Sequence, residues 1–189
     1  MLFRSVAQTV NTIIEVDLPA NIDIEYQTII KIKKLFSIIA SSVPFKPNIS
    51  KLAELTGTTR PSLLTYLEAL DKAQAILMLD KEATGLKRLA KPEKIYLANT
   101  NFAYAFSGEG VNIGNLRETF FYSMLNAAHK VTYSDYTDFI VDGKYHFDVG
   151  GKEKKQKQIY GLKEVYIVKD NIETGYLNQI PLWMFGLLY

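Results

Sequence analysis

The chain has 189 residues, 22 Lys and Arg against 20 Asp and Glu, 48% hydrophobic and 12% aromatic residues, and no cysteine. These values exclude disulfides, thiolate metal sites, a cysteine nucleophile and a disordered chain, and a net charge of +2 gives no strong global pull toward nucleic acid or an acidic membrane. A chain of this size hides roughly 70% of its unfolded surface, enough for one full core or two small ones.

Met1 to Val10 carries one charge, Arg4, and no sustained apolar core of the kind a secretory signal needs, so a cytoplasmic location is expected. Glu25 to Ser42 predicts a helix: Tyr26, Ile29, Ile32, Phe36 and Ile39 recur at steps of three and four. Pro44 and Pro47 end it. Asn48 caps a short helix, Ile49 to Leu55, closed by Gly57. Thr58 and Thr59 reopen the chain, and Pro61 suits the first turn of a helix from Arg60 to Lys72 with Leu63, Leu67 and Leu70 on one face. Two helices around a tight glycine turn are a helix-turn-helix arrangement.

Ala75 to Leu79 and Lys94 to Ala98 follow as strand candidates. The polar stretch between them carries Lys81, Lys87, Arg88 and Lys91, as the tip of a wing would. Docked on DNA, such a unit would face the groove with Thr58, Thr59, Arg60, Ser62 and Thr65, and reach phosphates with Lys87 and Arg88. A protein-contact module has the same pattern. Residues 1–105 carry 13 basic and 10 acidic side chains, so any duplex binding should be weak and salt-sensitive.

The rest predicts a helix from Asn115 to about His129, then strands at Val131–Tyr136, Thr137–Val141, Tyr145–Val149 and Glu164–Lys169. Alternation puts Phe139 and Val141 on one face of their strand, and Tyr145, Phe147 and Val149 on one face of the next. A two-residue turn at Asp142-Gly143 would separate Asp138 from Asp148. A three-residue loop ending at Gly143 would pair Asp138 with His146, keep the phenylalanines together and place both acids on the other face. We expect the three-residue form. Neighbouring carboxylates repel unless a cation intervenes, and Mg²⁺ takes such oxygen ligands. Asp138 and Asp148 are thus candidate metal ligands. Glu118 is a candidate third acid and Lys152 a candidate charge-stabilising group, the parts of metal-dependent phosphodiester cleavage. Solvated acids on an amphipathic hairpin are the simpler alternative. No spacing matches a phosphate-binding loop, so no nucleotide is expected. Ile180 to Tyr189 is too short to span a membrane and is expected to pack as a short helix or strand.

Several strings together resemble one known family. They are Glu15-Val-Asp-Leu-Pro19, Pro44-Phe-Lys-Pro-Asn-Ile-Ser50, Lys91-Pro-Glu-Lys-Ile-Tyr-Leu97, Asn99-Thr-Asn101, Gly114-Asn-Leu-Arg-Glu-Thr-Phe-Phe121, Phe147-Asp-Val-Gly-Gly-Lys152 and Ile180-Pro-Leu-Trp-Met-Phe-Gly-Leu-Leu-Tyr189. The chain resembles the C-terminal half of prokaryotic AAA-type ATPases, without the ATPase domain. That resemblance implies an α+β protein. A remnant of an ATPase lid helix (1–22) would precede a winged helix (23–105) and a restriction-endonuclease-like α/β domain with a mixed central sheet (106–189). It implies the PD-(D/E)xK nuclease pattern, with Glu118 on the first helix, Asp138 and Asp148 at the acid positions, and Lys152 near the lysine position. The pattern calls for acid-x-Lys, and Lys152 sits two residues late, roughly 6–7 Å farther along a strand. The implied partners are nucleic acid or a partner ATPase domain, with no membrane. The implied role is a binding module with a degenerate nuclease-like domain. An active Mg²⁺-dependent nuclease and an assembly module for an ATPase are the competing readings.

Overall fold

The computed structural model describes residues 2–21, 24–81, 91–107, 110–155 and 162–188. They form an α+β protein of two compact units, Met1–Met78 with Ala90–Val111, and Leu79–Leu89 with Asn112–Tyr189.

The first unit is mainly helical. Helix α1 (Leu2–Thr12) runs through a π-helical turn, Ile13–Asp17, into the short α2 (Leu18–Asn21). Val10, Ile14 and Leu18 recur every four residues and are all buried. The segment expected as a lid-helix remnant contributes these three side chains to the unit's core. Helix α3 (Tyr26–Ala40) buries Ile32, Leu35, Phe36 and Ile39. Helix α4 (Ile49–Thr56) starts where the Asn48 side chain accepts the Lys51 N–H at 3.1 Å. It ends at Gly57, whose φ of 66° is a left-handed value that glycine adopts without steric cost. Helix α5 (Arg60–Lys72) begins at Thr59, whose hydroxyl accepts the Ser62 N–H, and buries Leu63, Leu67 and Leu70. Strands β1 (Ile76–Leu79) and β2 (Lys94–Leu97) pair, and Phe45 adds an antiparallel bridge to Ile95. Helix α6 (Thr100–Ser107), which the periodicity does not announce, places Phe106 edge-on to Phe36 at 5.1 Å.

The second unit packs helix α7 (Ile113–Leu125) on a five-stranded mixed sheet. The strands are β3 (Val131–Tyr133), β4 (Phe139–Val141), β5 (Tyr145–Gly150), β6 (Val165–Lys169) and β7 (Gln179–Pro181), neighbours in that order. β3, β4 and β5 are antiparallel, and β5, β6 and β7 are parallel. Phe121 of α7 meets Phe139, Phe147 and Phe185 at ring distances of 5.1, 5.1 and 4.7 Å, which fixes the apolar face of the sheet. Several boundaries shift from expectation, among them the end of α7 at Leu125 and the start of β4 at Phe139. Asn112 accepts the Asn115 N–H, so α7 starts before Asn115. Ser134 Oγ accepts the N–H groups of Tyr136 and Thr137, and this local turn stops β3 at Tyr133. The C-terminal segment supplies β7 and then a 3-10 helix, Leu182–Leu187, that buries Leu182 and Phe185. Among the described residues no helix is long and apolar enough to cross a membrane.

Candidate functional site

The hairpin between β4 and β5 decides whether the two acids meet. Its loop is Asp142-Gly143-Lys144, one residue later than expected. The ladder pairs Phe139 with Phe147 and Ile140 with His146, not Asp138 with His146. Asp142 (φ 52°) and Gly143 (φ 66°) both take the left-handed conformation that an Asp-Gly hairpin turn demands, and the Lys144 N–H closes it on Val141 O at 3.1 Å. Lys144 is then the extra residue that shifts the pairing by one. Phe139 and Phe147 stay on the face toward α7, and Asp138 and Asp148 share the other.

Asp138 sits just before β4 and extends its ladder. Its N–H donates to Phe147 O at 3.0 Å, and its Oδ2 accepts the Val149 N–H at 2.8 Å. Asp148 lies inside β5 and is 2% exposed. The cation between them is Lys154. Its Nζ lies 3.3 Å from Asp138 Oδ2, 3.9 Å from Asp148 Oδ1 and 3.0 Å from Val149 O. Two carboxylates and a carbonyl thus surround one half-buried ammonium.

The remaining expected residues fall elsewhere. Lys152 is exposed on the turn after β5. Glu118 is half-buried on α7, and no three His, Asp or Glu side chains among the described residues group as ligands for a metal ion. In the first unit, Thr59 and Arg60 are exposed and Thr58 and Ser62 half-buried. The Thr59 and Ser62 hydroxyls are 3.0 Å apart, and exposed Thr65 donates to Pro61 O at 3.2 Å, so these hydroxyls serve the start of α5. A cleft of about 700 Å³ has Asp17 and Leu18 on one side and Thr65, Glu68, Ala69, Lys72 and Ala73 of α5 on the other. Glu68 and Lys72 pair at 3.0 Å across one helical turn. Lys87 and Arg88 lie outside the described residues.

The sequence reading missed three partners. Lys154 was hidden in a lysine-rich run, and the glycine two residues after Asp148 was its signal, because it leaves room for a side chain from elsewhere. Arg117 of α7 donates from Nε to Asp170 Oδ2 at 2.9 Å. His129 Nδ1 lies 2.8 Å from Asp142 Oδ2, and the Lys130 N–H donates to Asp142 Oδ1 at 3.0 Å. The His129 bond, then the Lys130 N–H, holds the Asp142 carboxyl below the ordinary carboxylate range.

A family model, a domain of unknown function (DUF8612), matches residues 2–116. The chain belongs to that family. The match covers the described part of the first unit and the first turn of α7, and stops before Asp138 and Asp148. No curated protein and no solved structure matches the chain.

Proposed function

We propose that this DUF8612 protein is a non-hydrolytic binding module for a partner of the AAA-type ATPase class or for nucleic acid. Its first unit is a winged helix. Its second is a nuclease-like domain whose carboxylate pair already holds a cation of the chain's own. The observation that carries this reading is the Lys154 ammonium between Asp138 and Asp148. A lysine there supplies part of the positive charge that a hard cation would otherwise bring, and it weakens the pair's demand for one.

The winged-helix part is supported by the order α3, α4, α5, β1, β2 and by the Phe45–Ile95 bridge, which extends the two strands as a third would. Groove docking draws little support from α5. Its threonine hydroxyls are engaged locally, and the acidic groups Asp17 and Glu68 line the cleft beside it. The partner-contact form is therefore the better supported of the two.

One observation favours a competing reading, an active Mg²⁺-dependent nuclease. Two carboxylates and a lysine do converge, with Lys154 in place of Lys152. Supercoiled plasmid incubated with the protein and Mg²⁺ or Mn²⁺ separates the two. The binding-module reading expects no nicking above a metal-only control. Nicking that disappears in Asp148→Ala overturns it.

A further inference from the structure

Gly150 ends β5 two residues beyond Asp148, on the same face of the strand. A Cβ placed there would lie 2.6 Å from Lys154 Cδ, 2.9 Å from its Cβ and 3.0 Å from its Cγ. The stem of Lys154 therefore occupies the volume that a side chain at position 150 would fill. The chain turns back to bring it there, and the Lys154 N–H closes the turn on Gly151 O at 2.9 Å. The corner is braced from its other side. Gly151 lies against Arg117, with Nη1 only 3.2 Å from where a Cβ would be. Asp170 holds Arg117 through its carboxylate and Gly150 O through its own N–H, each at 2.9 Å.

We propose that Lys154 supplies in space the side chain that position 150 lacks in sequence, and that Gly150 is the positioning residue that admits it. On this view, the ammonium is the standing counter-ion of Asp138 and Asp148. A lysine grafted onto position 150 would deliver its amine to the same carboxylates. The proposal rests on taking that pair as the site, but its test does not pass through binding or cleavage.

The test is a lysine ammonium proton–nitrogen correlation spectrum of the full chain, with thermal unfolding alongside. In the unsubstituted protein one ammonium signal is protected from solvent exchange, and Lys154→Met removes it. Gly150→Lys alone lowers the unfolding midpoint, because two stems compete for one volume. Gly150→Lys with Lys154→Gly recovers both the protected signal and most of the midpoint. If Gly150→Lys does not fold, Gly150→Ala gives the same comparison, lowering the midpoint only while Lys154 is present. The proposal is overturned if no protected ammonium is seen. It is also overturned if Gly150→Ala costs the same in the Lys154→Gly background. A positive nicking assay, with the protected ammonium seen and the cost of Gly150→Ala confined to the protein that keeps Lys154, would remove the binding-module reading and leave this one standing.

Discussion

The two units bury different things. Among the described residues of the first, the buried side chains are apolar apart from Thr56 and the phenol of Tyr96, and none is charged. The second buries Thr119, Thr132, Ser134, Thr137 and the carboxylate of Asp148. An apolar core needs only shape and pattern. A buried carboxylate needs a specific partner, because an uncompensated charge in the interior costs several kcal/mol. The second unit is therefore where a substitution can remove a defined electrostatic arrangement, whereas the first responds mainly to lost packing volume.

The largest effect should come from the aromatic layer that fixes the sheet's apolar face. Phe121→Ala removes a ring in contact with Phe139, Phe147 and Phe185 and should cost about 3–5 kcal/mol of the second unit's stability, read by chemical denaturation. Leu67→Ala in α5 should cost the first unit about 3 kcal/mol by the same measurement. Asp148→Ala comes next, at about 2–3 kcal/mol, because it strips a half-buried ammonium of one of its two carboxylates. Adding Lys154→Met to Asp148→Ala should recover part of that loss. A loss from Asp148→Ala no larger than that of an exposed acid would erase the contrast between the units.

A smaller effect follows pH. The folded-state pKa of Asp142 is lowered, so its contribution is fully present above the unfolded carboxylate value of about 4 and is lost as pH falls through the folded value. His129→Ala should flatten the acid limb of the second unit's stability curve. An unchanged limb would show that the His129–Asp142 contact does not hold in solution. Thr59→Ala should cost the first unit about 1 kcal/mol through loss of the α5 cap.

The units also differ in how far the sequence disclosed them. In the first, capping and glycine signals are local. Asn48, Gly57, Thr59 and Pro61 act within four residues of themselves, and α4 and α5 begin where those signals place them. α6 (Thr100–Ser107) escaped although a local signal precedes it: the Asn99 side chain accepts the Asn101 N–H at 2.9 Å, as a helix cap does. In the second unit the decisive facts are non-local. The face shared by Asp138 and Asp148 followed from keeping Phe139 and Phe147 on one side, but the register depended on Lys144 being counted with the turn. That depends in turn on Asp142 being held left-handed near His129 and Lys130. Lys154 was illegible for a related reason. Strand spacing predicts where a residue on β5 points, and it is silent about a residue that leaves the strand and folds back over it.

The central claim is that Lys154 serves Asp138 and Asp148 as their cation. Titration of Mn²⁺ into the full chain by calorimetry at neutral pH tests it most directly. The account predicts no saturable heat at submillimolar Mn²⁺. A one-to-one site in that range that Asp148→Asn abolishes would contradict it.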